Sequence, residues 1–239
     1  ERFGAAEKSL AVIPPRVDVK RFDCAAVSHE RAAVLRRSWK IEPEERLILV
    51  PGRLDPKQGQ INIVDAARLL SNGGLRKAVF VMAGDDQGYA DYARAIAERA
   101  RDHGVAHLVR LIGVCADMPA AYAAADYIVI PAIEPPLIAL SAAEACAMAR
   151  PVVASDAGAL PEIVRAPPFW PEHMRTGWLV KPDDSWALAR AIATALATEA
   201  SAYREMADRS RRLATALFAP ERVAAATLEV YTSLLEGRA

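Results

Sequence analysis

The stretch IEPPLIALSAAEACAMARPVVAS, residues 133–155, contains the pattern that decides the fold. An apolar run, YIVIP at residues 127–131, lies just before it, and a second apolar run occupies residues 152–155. Between these runs, residues 141–149 form an alanine-rich helical pattern in which Glu144 is the one acidic residue. Two apolar runs joined through a helical segment predict neighbouring parallel strands with a crossover helix.

The same alternation repeats along most of the chain. Apolar runs predict strands at residues 10–13, 47–51, 78–83, 109–112, 127–131, 152–155 and 178–180, and helical patterns predict helices at residues 61–70, 90–103, 118–125, 141–149 and 160–164. The strand patterns are continuous, which is typical of strands that are buried on both faces of a parallel sheet. We therefore predict a Rossmann-like, doubly wound α/β fold with about six parallel strands. Its ligand is expected at the carboxyl ends of the strands.

Helices predominate after Val180. The sequence KPDDSW predicts a turn and a helix start capped by Asp184 or Ser185, and further helices are predicted at residues 186–197, 201–217 and 220–236. Pro220 suits a first helical position. We expect one domain over residues 1–239, with a core at about 10–182 and a C-terminal helical segment at about 183–239.

Composition excludes several classes of protein. The 239 residues are 53% hydrophobic and carry no net charge, so nucleic acid is not expected as a partner. The sequence shows neither an apolar run long enough to cross a membrane nor a signal peptide. The three cysteines, Cys24, Cys115 and Cys146, are odd in number and far apart, which favours reduced thiols in a cytoplasmic protein. Histidines, cysteines and acidic residues lack the spacing of a metal site.

The loops that follow strands hold the candidate binding residues. VPGRLDPKQGQ, residues 50–60, places Gly52 and Arg53 at the end of a strand and before a helix, where an arginine can hold a diphosphate through paired hydrogen bonds. AGDDQG, residues 83–88, includes Gly84, which permits close backbone approach, although its two aspartates would repel phosphate. The strand at residues 109–112 leads into Gly113 and Val114.

Six segments, taken in order, resemble one known family. They are VIPPRVDVKRF (12–22), PGRLDPKQGQ (51–60), FVMAGD (80–85), LIGVCADMPAAYAAADYIVIPA (111–132), AEACAMARPVVASDAGALPEIV (143–164) and TGWLVKPDD (176–184). Together they resemble the C-terminal, donor-binding domain of the family 4, or group 1, retaining glycosyltransferases of the GT-B fold. The resemblance covers almost the whole chain.

The resemblance implies a nucleotide-sugar or nucleoside diphosphate as ligand and sugar transfer without a metal ion or cofactor. A separate N-terminal domain binds the acceptor in this family, and peripheral membrane association is expected only through that domain. The chain begins at Glu1 and where the family's C-terminal domain begins, so we expect a fragment without the acceptor domain. We do not expect this fragment to transfer sugar alone.

The resemblance also assigns roles to residues. Arg53 would stabilise the leaving diphosphate as a catalytic residue, and Glu144 matches the second glutamate of the family's E-x7-E motif, which binds the ribose. Gly113 and Val114 would lie near the base. The other residues implied around the nucleotide are Gly52, Lys57, Gln58, Gly84, Ile138, Ala139 and Leu140.

Several residues depart from the family's pattern, mostly in this donor region. Pro136 stands where the sugar-binding glutamate of E-x7-E is expected, and Gln58 stands where a lysine is expected. The family's Phe-Gly pair becomes Ile138-Ala139, the glycine at the helix end becomes Ala149, and a Gly-Gly pair becomes Gly158-Ala159.

Two nearby charged residues offer replacements. Glu134 serves as a catalytic, sugar-binding carboxylate if its loop bulges by two residues, and Lys57 reaches the phosphate if its turn shifts by one. Alternatively, both are surface charges, Glu144 is paired with an arginine, and Arg53 is an exposed structural residue. Two functions thus stay open: the donor-binding domain of a retaining glycosyltransferase, or a degenerate, non-catalytic module used for folding or partner binding.

Overall fold

The computed structural model describes residues 10–236, and a six-stranded sheet organises them. The strands are β1 (Arg46–Pro51), β2 (Ala78–Ala83), β3 (Val109–Leu111), β4 (Tyr127–Ile130), β5 (Val152–Ser155) and β6 (Gly177–Val180). All neighbouring strands are parallel, and their order across the sheet is β3-β2-β1-β4-β5-β6. This confirms the predicted Rossmann-like, doubly wound α/β fold.

Alternate residues of each central strand fill two separate cores. In β1, Leu47 and Leu49 pack on one face of the sheet, whereas Ile48 and Val50 pack on the other. All four are at most 1% exposed. A strand that is buried on both faces exposes no side chain to solvent, which explains why the apolar runs of the sequence are continuous.

Helices cover both faces. They are α1 (His29–Ser38), α2 (Gln60–Asn72), α3 (Ala90–Asp102), α4 (Met118–Ala124), α5 (Leu140–Ala147), α6 (Leu160–Ile163), α7 (Ser185–Leu196), α8 (Ala200–Leu217) and α9 (Pro220–Leu235). Buried residues of α2, α3 and α7 belong to one core, and those of α4, α5 and α6 belong to the other. Helix α8 contributes to both cores, through Met206 to the first and Ala214 to the second.

The predicted start of the C-terminal helices is confirmed. Asp184 caps α7 by accepting a hydrogen bond from the Ala187 N–H at 2.8 Å, and Pro220 is the first residue of α9. Arg211 of α8 donates to the carbonyls of Phe22 and Val19 and to the carboxylate of Asp23, at 2.8, 3.0 and 2.8 Å. These bonds hold the first part of the described chain against the C-terminal helices.

At the start of the chain, one predicted strand is wrong and one helix is missed. Residues 10–13 are not a strand, and Leu10 and Val12 are 59% and 87% exposed. Their apolar run resembles a buried strand in composition, but no neighbouring strand pairs with it in the described part of the sheet. Helix α1 was not predicted from the sequence because none of its residues is fully buried, so its apolar pattern is weak. Residues 1–9 and 237–239 of the predicted domain lie outside the described residues.

Candidate functional site

The candidate site lies at the carboxyl edge of the sheet, where the strand order reverses between β1 and β4. At such a switch point the two adjacent loops leave the sheet in different directions and form a crevice for a ligand. The residues that the sequence predicts for the site mostly follow these two strands: Gly52, Arg53, Lys57 and Gln58 after β1, and Glu134, Ile138, Ala139, Leu140 and Glu144 after β4. The fold thus gathers them on adjacent loops.

The three predicted glycines extend the backbone ladder beyond the strands. The Gly52 N–H donates to the Ala83 carbonyl (N to O, 3.0 Å), and the Gly84 N–H donates to the Gly113 carbonyl (2.9 Å). A Cβ on Gly84 would lie 1.9 Å from the Gly52 carbonyl oxygen, so only glycine fits there. Gly84 therefore permits close approach of two loops of the protein, where the sequence predicts approach of a ligand. Val114, beside Gly113, is 71% exposed.

Arg53 extends from the end of β1, with 55% of its side chain exposed. Its guanidinium lies 5.6 Å from the centre of the Tyr89 ring, a cation–π contact, and 3.5 Å from an Asp55 carboxylate oxygen. The Gln60 side-chain amide donates to the Arg53 carbonyl at 2.8 Å and so fixes the backbone that carries the arginine. The long ion pair leaves the guanidinium able to take an anion.

Lys57 and Glu134 form an ion pair with each other. The Lys57 Nζ lies 2.9 Å from a Glu134 carboxylate oxygen, and each side chain is more than half exposed. The hydrogen bond from Lys57 to Glu134 raises the pKa of Lys57. The Lys57 carbonyl also accepts the N–H groups of Ile133 and Glu134, at 2.8 and 3.2 Å. Lys57 lies one position from the family's lysine, and Glu134 lies two positions from the family's glutamate. The two candidate replacements are therefore bonded to each other. Gln58 lies beside Gly52.

The proline-containing loop after β4 also contacts the segment that follows β5. The Pro136 carbonyl accepts the Ala159 N–H at 3.0 Å, and a Cβ on Gly158 would lie 2.3 Å from the same oxygen. Leu137 and Ile138, at the tip of the loop, are 96% and 68% exposed. The loop is thus fixed at its base and presents aliphatic side chains to solvent.

Helix α5 begins directly after this loop. Its N-cap, Ala139, makes no side-chain capping bond and is buried, whereas Leu140 is 42% exposed. Within the described chain, the N–H groups of residues 138–141 have no backbone or side-chain acceptor. Unbonded N–H groups at a helix N-terminus attract anions, because the helix dipole adds to their partial positive charge.

Glu144 lies on the second turn of α5 and is partly buried. The Tyr122 hydroxyl of α4 donates to one Glu144 carboxylate oxygen at 3.0 Å and lies 3.2 Å from the Ser141 carbonyl. Burial raises the pKa of Glu144 above the ordinary 4.5, while the Tyr122 hydrogen bond and the charge of Arg21 act in the opposite direction. Its direct partner is a tyrosine, so the alternative of a structural Glu–Arg pair is not what the structure shows.

Three residues important to this arrangement are missed by the sequence prediction. Gln60, Tyr89 and Tyr122 each contact a predicted site residue, but the resemblance assigns no role to any of the three. Tyr89 and Tyr122 belong to elements that follow other strands, so their proximity depends on how the helices pack. Gln60 directly follows Gly59, whose φ is +70°, but no local pattern in the sequence indicates that its side chain binds the Arg53 carbonyl.

Cavities lie at both edges of the sheet. At the carboxyl edge, one of about 440 Å³ lies against Pro56 and Tyr89, and another of about 230 Å³ lies between residues 12–15 and residues 137–139. A larger cavity, of about 1070 Å³, lies beside α1 at the amino edge. Its Arg36, Arg46 and Asp126 already bind one another or backbone carbonyls. Size alone therefore does not mark the functional site.

Residues 10–236 contain no group of three His, Cys, Asp or Glu side chains that could hold a metal ion. None of the helices in that range combines the length and the hydropathy needed to cross a bilayer.

Comparison with known proteins gives the family. The sequence pattern of the family described as "Glycosyl transferases group 1" matches residues 45–198, which hold the loops after β1 and β4. The chain belongs to this family. The D-inositol 3-phosphate glycosyltransferase of Salinispora arenicola (strain CNS-205) is 30% identical over 238 residues, covering 97% of this chain and 51% of that protein. The chain thus spans about half the length of this relative.

Solved structures share the fold. A glycosyltransferase from Rickettsia africae ESF-5 superposes with a TM-score of 0.89 at 22% identity, over 98% of this chain and 59% of that one. Anabaena Alr3699/HepE in complex with UDP-glucose superposes with a TM-score of 0.83 at 22% identity, over 98% and 60% of the two chains. The predicted resemblance to group 1 glycosyltransferases is therefore confirmed for both family and fold.

Proposed function

We propose that this chain binds the nucleotide-sugar donor of a retaining glycosyltransferase, with the diphosphate beside Arg53 and the ribose beside Glu144. One observation carries the proposal: Arg53 and the unbonded N-terminus of α5 stand on the two loops that flank the switch point. A cation and a helix N-terminus on adjacent loops are suited to a diphosphate. The UDP-glucose bound by the Anabaena protein of the same fold supports this choice of ligand.

The chemistry of transfer explains why these groups are needed. When the bond between the anomeric carbon and the diphosphate breaks, negative charge builds on the leaving phosphate. The Arg53 guanidinium and the N–H groups at residues 138–141 would stabilise that charge without being rearranged during the reaction. Transfer without a metal ion or cofactor is part of the proposal, because these groups supply the positive charge.

Glu144 is proposed to accept hydrogen bonds from the ribose hydroxyls. Tyr122 donates to one of its oxygens, which holds the carboxylate in place and leaves further acceptor capacity. Acceptor binding is proposed to lie on a second domain of the intact protein, since the chain spans about half the length of its relative.

A second candidate function is a degenerate module that binds no donor. The specific observation in its favour is the Lys57–Glu134 ion pair, in which the two possible replacement residues neutralise each other. Exposed Ile138, where the family has phenylalanine, points the same way. The two candidates differ in one measurable property, which is affinity for a nucleoside diphosphate.

Titration calorimetry of this chain with UDP and with GDP tests the proposal. Arg53→Ala should weaken binding by about tenfold, as expected for one charge-assisted contact at a half-exposed site. The matched control is Arg37→Ala on α1, where the arginine is 62% exposed and paired with a glutamate, and it should leave affinity unchanged. If neither UDP nor GDP binds, the degenerate module is the better interpretation. Binding that Arg53→Ala leaves intact would show that the site lies elsewhere.

A further inference from the structure

The Lys57–Glu134 pair is built into two loops that are also joined through their backbones. Three bonds link them: the ion pair of 2.9 Å and two hydrogen bonds to the Lys57 carbonyl, from the N–H groups of Ile133 and Glu134. Gly59 allows this contact, because a Cβ there would lie 2.1 Å from the Pro131 carbonyl oxygen. The backbone contact keeps Lys57 and Glu134 within reach of each other whether or not their side chains are bonded.

Two ion pairs lie beside the proposed phosphate site. Two cations, Arg53 and Lys57, face two carboxylates, Asp55 and Glu134. Asp55 is 8% exposed and accepts the Lys57 N–H at 2.9 Å, so it is fixed as part of the turn. The Glu134 side chain is 58% exposed, and Lys57 is its one side-chain partner among the described residues. Glu134 is therefore the carboxylate that can move.

We infer that the diphosphate of the donor displaces Glu134 from Lys57, so that Glu134 is a competing counterion that sets the affinity of the site. The inference rests on the proposed function, since it needs a diphosphate at this switch point. A half-exposed ion pair is weak, because solvent screens it and two long side chains must be ordered. A diphosphate carries more charge than one carboxylate and is also held by Arg53, so it can win the exchange.

Removing Glu134 should tighten nucleotide binding, and most of the gain should depend on Lys57. Any acidic residue near a bound anion weakens binding slightly by charge repulsion, whereas a competing counterion acts mainly through the cation that it neutralises. Glu134→Gln should tighten UDP or GDP binding about threefold, and Lys57→Gln should weaken it by about threefold or more. In the Lys57→Gln background, Glu134→Gln should give a clearly smaller gain, because only general charge repulsion is relieved and the cation for which Glu134 competes is gone.

The experiment is calorimetric titration of the parent, the two single variants and the double variant with UDP and GDP at low salt. Glu30→Gln is the matched control: Glu30 is 72% exposed and paired with Arg37 on α1. It should leave the nucleotide Kd unchanged. The threefold gain of Glu134→Gln should shrink at high salt, because screening weakens the pair in the parent. Thermal melting of each variant checks that folding is intact.

The outcomes separate this inference from the proposed function. If nucleotide binds and depends on Arg53 but Glu134→Gln leaves it unchanged or weaker, the exchange is wrong and the donor site stands. If Glu134→Gln tightens binding equally with and without Lys57, a general charge effect replaces the exchange. If neither nucleotide binds any variant, the proposed function fails and this inference fails with it.

Discussion

The two edges of the sheet use arginines in opposite ways. At the amino edge, Arg36 donates to the carbonyls of Ala124 and Glu45, while Arg46 bonds to Asp126 at 2.7 Å. At the carboxyl edge, Arg53 has a 3.5 Å ion pair and a tyrosine face. The arginines of the amino edge are bonded within the protein, whereas Arg53 at the carboxyl edge can still bind an anion. The proposed site at the carboxyl edge is therefore based on polar groups that lack full partners, and not on cavity volume.

The largest effect is expected at a glycine of the carboxyl edge. Gly84→Ala should lower the free energy of unfolding by roughly 2–3 kcal/mol, because the new Cβ would overlap the Gly52 backbone, which must then shift. Gly113→Ala, where no described heavy atom lies within 4 Å of the added Cβ, should cost only about 1 kcal/mol for its φ of +65°. Urea denaturation measures both. Equal losses would show that the backbone ladder is not tight at Gly84.

A somewhat smaller loss is expected at the amino edge. Asp126 accepts the Leu47 N–H at 2.8 Å as well as the Arg46 guanidinium, so Asp126→Ala leaves both donors unpaired. The free energy of unfolding should fall by about 2 kcal/mol, with nucleotide affinity unchanged in the folded protein. Asp91→Ala removes a 94% exposed ion-pair partner and should be neutral. A loss of nucleotide affinity in Asp126→Ala would erase the proposed distinction between the edges.

An added cation should act at the carboxyl edge alone. Gln58→Lys places a positive charge beside Gly52 and should tighten UDP or GDP binding about tenfold, as one charge-assisted contact reduced by solvent. Asn72→Lys adds the same charge at the far end of α2 and should leave the dissociation constant unchanged. Calorimetry compares the two variants. A flat response to Gln58→Lys in a folded protein would mean that this loop does not bind phosphate.

The smallest effect concerns Glu144 and pH. Burial raises the pKa of this carboxyl in the folded state above 4.5, so the folded protein binds its proton more tightly than the unfolded chain. Its contribution to stability is therefore greatest below pH 4.5 and is lost as pH rises through the folded pKa.

Glu144→Gln keeps an acceptor for Tyr122 but cannot ionise. It should match the parent in acid and become slightly more stable than the parent towards neutral pH. Denaturation curves at several pH values measure the free energy of unfolding of both proteins. If the parent becomes more stable relative to the variant as pH rises, the prediction is wrong. Greater stability with weaker nucleotide binding would be the mark of a carboxylate retained for function.

The sheet could be predicted from sequence because buried parallel strands leave a simple signal. Leu47 to Val50 is apolar at every position, since each side chain faces one of two cores. Residues 10–13 have the same composition, yet they pair with no described strand, because composition does not reveal whether a hydrogen-bonding partner exists. Helix α1 shows the converse: none of its residues is fully buried, and it combines polar contacts, such as that from Arg31 to Asp117, with partial burial of Leu35 against the core.

The candidate site could be predicted only in part. Arg53 and Glu144 could be proposed from the sequence because each stands at a fixed spacing within a local segment. The pairing of Lys57 with Glu134 could not be foreseen, because it depends on the paths of two loops separated by more than seventy residues in sequence. The contact of Tyr122 with Glu144 likewise depends on how α4 packs beside α5.

The fork of two hydrogen bonds at the Lys57 carbonyl has a consequence for how these loops change length. An inserted or deleted residue between Gly52 and Gly59 would move that carbonyl away from Ile133 and Glu134, and would also move Gly59 from its fit against Pro131. An insertion after β4 would break the same fork from the other side. In homologous proteins that keep this contact, changes in the length of one loop should therefore be accompanied by changes in the other, as an inherited pair.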